Sequence, residues 1–288
     1  MTSPTFNLPP PVCDISPNAT FRQQHHHYLA LLQLSDLHLL TDENQYYNGI
    51  NPAQNLQAVL TKIQTEFANS DAIVLTGDLL QQPQPDNYDR LFAKFGSLNK
   101  PFVAVAGNHD VTLELDWHLP FFERRHEPIT ADPRLVNRHL ISSPFWNIIC
   151  LDSTVRGKVY GKFCKQTLAW LDQTLTTSEK PCVIFAHHPM VLIHSAWIDH
   201  HTLKNSAAFW EVVAPHQAKL KAIFVGHVHQ ELHVIHQGIS LYTCPAVSAQ
   251  FKSFCDDYTL DDMPAGFRWI TLYNNGTLAT GIKRIDTI

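Results

Sequence analysis

The chain has 288 residues, is 44% hydrophobic and carries a formal net charge of −5. That is enough apolar material for a sizeable core in one α/β domain, while the acidic balance disfavours non-specific binding to long nucleic acid. No run of about 18 apolar residues occurs, so no membrane span is expected.

Residues 1–27 are rich in Pro, Asn, Gln, Ser and Thr and read as an irregular arm ahead of one domain over 28–288. The opening MTSPTFNLPPPVCDISPN has no basic start and no apolar core of signal-peptide length, which favours a cytoplasmic location. The run His25, His26 and His27 reads as a solvated stretch. From Tyr28 a cycle begins. LALLQL (29–34) is a buried strand, and Asn51-Pro52 supplies an N-cap and a first-turn proline. Leu56, Val59, Leu60, Ile63 and Phe67 then follow at helical spacing. AIVLT (72–76) is the next strand, and Tyr88, Leu91, Phe92, Phe95 and Leu98 mark a second helix. FVAVA (102–106) is a third strand, followed by a long polar region over about 107–140. FWNIICL (145–151) is a fourth strand, and Leu168, Leu171 and Leu175 lie on a third helix. CVIFA (182–186) and AIFV (222–225) are strands separated by a helix around 202–213.

After residue 230 the texture changes to short β runs, ELHVIH, ISLYTC, FRWITLY and LATGIKR, expected to pair antiparallel. Asn275-Gly276 joins the last two and predicts a type I′ hairpin. Alternating strands and helices imply parallel pairing earlier in the chain, and so two face-to-face sheets with helices outside. The six cysteines lack CxxC spacing, and Cys150 and Cys182 sit in apolar runs. They read as reduced, mostly buried thiols, not as a disulfide frame or zinc cluster.

Five of the strands end in the same chemistry. LALLQL runs into Asp36-Leu37-His38 and AIVLT into Gly77-Asp78. FVAVA leads to Gly107-Asn108-His109-Asp110, CVIFA to His187-His188, and AIFV to Gly226-His227-Val228-His229. Ligand sites of open α/β sheets lie at the carboxyl ends of strands, so these distant residues are expected on one rim. In Asp-x-His and His-x-His the two side chains leave an extended chain on the same side. Asp36, His38, Asp78, Asn108, His187, His227 and His229 make seven oxygen and imidazole donors, too many for one ion of four to six ligands. They suit two transition-metal ions about 3.5–4 Å apart that share a carboxylate and act on phosphorus. The absence of thiolate favours Mn or Fe, with Zn and Co as alternatives, over a structural zinc.

The same motifs, Asp36-x-His38, Gly77-Asp78, Gly107-Asn108-His109-Asp110, His187 and Gly226-His227-Val228-His229, resemble the signature of the calcineurin-like metallophosphoesterases over about residues 30–230. That resemblance implies a four-layer αββα sandwich of two mixed sheets flanked by helices, with a binuclear centre. QLSDLHL, LTGDL, AGNHD, Trp197-x-Asp199, Leu203-x-Asn205, VGHVHQE (225–231) and SAQFKSFCDDYTLDDMPAGFR (248–268) are further similar to bacterial class III 3′,5′-cyclic-AMP phosphodiesterases. Carried over, the pattern puts Asp36, His38, Asp78 and His229 on one metal. Asp78, Asn108, His187 and His227 hold the other, with divalent or trivalent ions in both places. His109 then faces the substrate and serves the leaving oxygen, Asp110 orients His109, and His188 supports the site.

The implied reaction is hydrolysis of 3′,5′-cyclic AMP to 5′-AMP by a hydroxide bridging the metals. His38, Asn108, His109 and His229 are expected against the substrate, with Trp197 and Asn205 near the nucleoside. Phe251, Phe254 and Tyr258 are candidates for an aromatic wall, and His194, His200 and His201 lie in a nearby loop. The implied partner is a small cyclic nucleotide, and a homodimer is compatible with the pattern. The alternative substrates are a 2′,3′-cyclic nucleotide, a nucleic-acid end, a glycerophosphodiester or a phosphomonoester. A non-catalytic scaffold of the same fold would have lost donors, and here all seven are present.

Overall fold

The computed structural model describes residues 27–116, 119 and 123–286. The arm expected at 1–27, with His25 and His26, lies outside the described residues except for His27. Strand β1 (Tyr28–Leu34) leads to helix α1 (Pro52–Glu66), then β2 (Ala72–Thr76), α2 (Pro85–Gly96) and β3 (Phe102–Val105). A 3-10 turn at His109–Val111 follows, then the short pair β4 (Thr112–Glu114) and β5 (His126–Pro128). Next come β6 (Arg138–Ser142), β7 (Asn147–Leu151), α3 (Lys165–Thr177), β8 (Cys182–Ala186), α4 (Ala196–Asp199), α5 (Ser206–Val213) and β9 (Leu220–Val225). The chain continues through β10 (His233–His236), β11 (Ile239–Thr243), β12 (Gln250–Phe251), β13 (Leu260–Asp261), β14 (Gly266–Tyr273) and β15 (Leu278–Arg284).

Two mixed sheets carry the architecture, with strand orders β15-β14-β1-β2-β3 and β10-β11-β9-β8-β7-β6. Their layering follows from the two-residue alternation of strand side chains. Leu32 and Leu34 of β1 and Ile73 and Leu75 of β2 pack outward onto α1 and α2, whereas Leu29, Leu31, Ala72 and Val74 point inward. Ile184 of β8 and Ile223 of β9 pack outward with Leu171 and Phe209 of α3 and α5, while Val183, Phe185 and Phe224 meet the other sheet's inner face. Strands buried on both faces give continuous apolar runs, and the result is the expected four layers. Phe185 and Phe224 stack at 5.1 Å in the middle layer. Burying each such ring contributes about 1.5–3 kcal/mol.

Local signals explain the helix ends. Asn51 caps α1 by accepting from the Gln54 N–H at 3.0 Å, and Pro52 occupies the first turn. Cys164 caps α3 through its sulfur. The helix expected around 202–213 begins only at Ser206, because residues 196–205 are spent on α4 and the turn after it. The C-terminal strands are not all antiparallel: β11 pairs parallel with β9 and antiparallel with β10. The Asn275-Gly276 turn is not type I′. Only Gly276 is left-handed (φ +81), and its N–H donates to Tyr273 C=O, so the loop is one residue longer than a two-residue hairpin. Among the described residues no helix is long and apolar enough to cross a membrane. Cys150, Cys182 and Cys244 are buried free thiols, while Cys164 is exposed and Cys255 half-buried.

Candidate metal centre

The parallel strands β1, β2 and β3 of one sheet and β8 and β9 of the other end on the same rim. The two sheets are tied there by side chains. Gln33 donates to Val225 C=O at 3.1 Å, and the Asp36 carboxylate accepts from the His227 N–H at 3.0 Å. Small residues let the loops approach. A Cβ on Gly107 would overlap the Asp78 backbone nitrogen and carboxylate, and one on Gly226 would overlap the Ser35 hydroxyl.

The donors do not leave an extended chain, as the two-residue spacing suggested. Asp36, His38, Asp78, His227 and His229 all have positive φ, between 46 and 71. Each strand turns sharply as it leaves the sheet, and left-handed backbone at non-glycine residues is the local strain that functional sites tend to carry. Asp36, His38 and His229 nevertheless reach one cluster.

Four groups of side chains place their donor atoms within 4.8 Å of one another: Asp36, His38 and His229; Asp36, Asp78 and His187; His38, Asp78 and His109; and His187, His188 and His227. Asp78 sits in the middle. Its Oδ2 is 3.6 Å from His38 Nε2 and 3.4 Å from His187 Nε2, while its Oδ1 accepts from the His109 N–H at 2.8 Å. Asn108 Oδ1 and His227 Nδ1 are each 3.2 Å from His187 Nε2.

The proton positions decide what these rings offer. His38 Nδ1 faces Gln81 Oε1 at 2.6 Å, His229 Nδ1 faces Ala249 C=O at 2.6 Å, and His187 Nδ1 faces Thr76 C=O at 2.7 Å. Each acceptor fixes the proton on Nδ1 and leaves a lone pair on Nε2. The Nε2 lone pairs of His38 and His229 then face each other at 3.2 Å. His187 Nε2 faces only acceptor oxygens and another imidazole nitrogen, and His227 Nε2 is buried with no hydrogen-bond partner. Converging acceptors repel unless a cation sits among them, either an added proton or a metal ion, and a cluster this rich in acceptors fits metal ions.

Burial alone would lower His187, yet Asp78 and Asp36 outweigh it and push the ring up to about 9, so with no metal between them a second proton on Nε2 faces the carboxylate. Burial drives His38 and His188 down to about 3 and His227 well below its usual value. Asp36 and Asp78, although buried, are held low, Asp36 mainly by His229 and Asp78 mainly by His187.

A cavity of about 350 Å³ opens beside this cluster, lined by His38, Asp78, Asn108, His109, His227 and His229. Trp197, Phe251 and Tyr258 add an aromatic stretch to the lining, with Trp197 edge-on to Phe251 at 5.2 Å and to Tyr258 at 5.1 Å. Phe251 also stacks flat on His229 at 4.0 Å, and Tyr47 stacks on His38 at 5.7 Å. The aromatic wall therefore braces both imidazoles of one donor group as well as shaping the cavity. His201 lines the cavity. His194, His200 and the largely exposed Phe254 do not.

Two expectations need correction. Asp110 does not engage the His109 ring: its carboxylate accepts from Tyr88 Oη at 2.6 Å, from the Gly107 N–H at 2.9 Å and from the Leu79 N–H at 3.2 Å. It is a buried clasp between the loops after β2 and β3, because the 3-10 turn points residue 110 inward. Asn205 does not line the cavity either. Its Oδ1 accepts from the Phe163 N–H at 3.0 Å and its Nδ2 donates to Phe163 C=O at 2.9 Å, which pins the turn before α5 to the chain before α3. The ring nitrogens of His188 face the Ser153 hydroxyl at 2.8 Å and Val159 C=O at 2.9 Å. Asp152 caps its own turn by accepting from the Thr154 N–H at 2.8 Å. Sequence reasoning missed Gln81, Tyr47 and Arg124, none of which stands at a strand end beside a glycine.

A four-layer sandwich with this donor rim defines a metallophosphoesterase. The calcineurin-like phosphoesterase family profile matches residues 29–231, and the chain belongs to that family. Membership and the donor clusters together imply divalent metal ions. Among particular relatives, a probable cyclic nucleotide phosphodiesterase of Psychrobacter sp. (strain PRwf-1) is 41% identical over 233 residues, 81% of this chain and 68% of the relative. The 3′,5′-cyclic adenosine monophosphate phosphodiesterase CpdA of Haemophilus influenzae is 34% identical over 259 residues, 90% of each chain. A dimetal phosphatase from Danio rerio shares the fold with a TM-score of 0.56 at 15% identity, covering 90% of this chain and 99% of that one.

Proposed function

We propose that this chain is a two-metal phosphodiesterase that hydrolyses 3′,5′-cyclic AMP to 5′-AMP in the cytoplasm. The observation that carries the reading is the convergence of donor groups around Asp78 on the lining of a small cavity that also carries aromatic side chains. Asp36, His38, Asp78 and His229 would hold one ion, and Asp78, Asn108, His187 and His227 the other. The mixture of carboxylate, amide oxygen and imidazole without thiolate suits Mn or Fe. When bound, such a pair supplies an acidified water as nucleophile and neutralises charge on the phosphoryl oxygens.

The chain's own residues do the rest. Gln81, Thr76 and Ala249 hold the protons of three imidazoles away from the centre. His109 is half-buried on the cavity wall, and its role in this reading is to give a proton to the departing ribose O3′. Trp197, edge-on to Phe251 and Tyr258 on the same lining, offers an aromatic surface for the base. A volume of about 350 Å³ falls at the small end of ligand pockets and suits a mononucleotide, not a polymer. The names of the Psychrobacter and Haemophilus relatives support the same substrate class.

The test is a substrate panel with the Mn-loaded chain. The highest kcat/KM is expected for 3′,5′-cyclic AMP, ahead of 3′,5′-cyclic GMP and 2′,3′-cyclic AMP, with activity lost on chelation and restored by Mn. A preference for a phosphomonoester or a 2′,3′-cyclic nucleotide would overturn the substrate assignment.

A further inference from the structure

The cavity wall carries a fixed cation that the donor cluster does not account for. Among the described residues that line it, Arg124 is the one lysine or arginine. It shares that lining with His109 and Tyr47. Its Nη1 donates to Glu114 Oε1 at 2.7 Å and its Nε to Leu119 C=O at 2.8 Å, and Glu114 is itself buried on β4. A guanidinium held at two nitrogens has its plane set before any ligand arrives. An arginine keeps its charge at every working pH and attracts phosphate oxygens as a fixed positive group. Outside the metal donors, Asp257 on the same lining would repel an anion, so a preorganised cation here has a specific use.

We propose that Arg124 is a substrate-anchoring residue that binds the anionic phosphoryl group of substrate and product. This rests on the phosphoesterase reading and adds a contact outside the metal donors. Glu114 acts through it as a positioning residue.

The test uses the Mn-loaded full chain and its Arg124→Lys and Arg124→Met variants, with inorganic phosphate as the binding probe and 3′,5′-cyclic AMP as substrate. Removing the cation leaves Glu114 buried and unpaired, so the double variant Arg124→Met/Glu114→Gln is included to keep the fold. Metal content by elemental analysis should match the parent. The phosphate dissociation constant should rise about 10- to 100-fold in both methionine variants, less in the lysine variant, and KM should rise in parallel while kcat changes less. An unchanged phosphate constant in the folded, metal-replete double variant would overturn the proposal, as would a fall in kcat alone. If the parent binds phosphate but turns over no cyclic nucleotide, the substrate reading fails, and the phosphate titration still decides the role of Arg124.

Discussion

Tyr88 donates a 2.6 Å hydrogen bond to Asp110, joining the buried face of α2 to the loop that carries Asn108 and His109. The same carboxylate accepts the Gly107 and Leu79 N–H groups, so one buried anion holds two donor-bearing loops together. Tyr88→Phe keeps the ring stacked on Phe92 and removes only the hydroxyl. Unfolding in urea should show a loss of about 1–3 kcal/mol, the usual worth of a hydrogen bond to a buried charge. No change in the midpoint would show that the clasp does not need its third donor.

The glycines on the rim are there for clearance. Gly107→Ala drives a methyl group into the Asp78 backbone and carboxylate, and should weaken Mn affinity about 10- to 100-fold by chelator competition. Gly96→Ala, at the end of α2 with nothing near its Cβ, is the control. It should bind metal like the parent and gain up to about 1 kcal/mol of stability.

Asp78 and His109 should separate metal binding from turnover. Asp78→Ala removes the carboxylate proposed to serve both ions, and elemental analysis should find both depleted. His109→Ala should keep its metal and lose about 10²- to 10⁴-fold in rate on cyclic AMP. The deficit should shrink on a p-nitrophenyl diester, whose leaving group needs no proton. An equal deficit on both substrates would remove the proton-donor role.

Asn205 and Trp197 should behave differently although both stand in one stretch of sequence. Asn205→Ala loses two hydrogen bonds to Phe163 and should cost about 1–3 kcal/mol with KM unchanged. Trp197→Ala opens the cavity wall and should raise KM for cyclic AMP about tenfold with little effect on metal content.

The thiols should sort by burial. Burial pushes Cys150 and Cys244 up to about 12 and raises Cys182, whereas Cys164 is exposed and lowered, first by its hydrogen bond with Thr167. A lower pKa means more thiolate at pH 8. Iodoacetamide with peptide mapping should modify Cys164 readily, and the three buried thiols only in denaturant.

Most of the architecture, and the gathering of the candidate donors on one rim, could be read from the residues alone. Two periodicities, 2.0 and 3.6, separate strands from helices because each element must bury one face, and five apolar strands each ended in Asp, Asn or His. That pattern is local, and chain direction alone puts the ends of parallel strands on one rim. What only the tertiary structure decided depends on contacts between residues distant in sequence. The left-handed backbone at Asp36 and His38 arises from the packing of the neighbouring loops. Asp110 turned inward to Tyr88, and Asn205 was taken up by Phe163. Gln81, Tyr47 and Arg124 joined the site from loops with no distinctive spacing. A side chain's role follows from which groups share its few ångströms of space, and residues far apart in sequence acquire common neighbours only when the sheets close on each other.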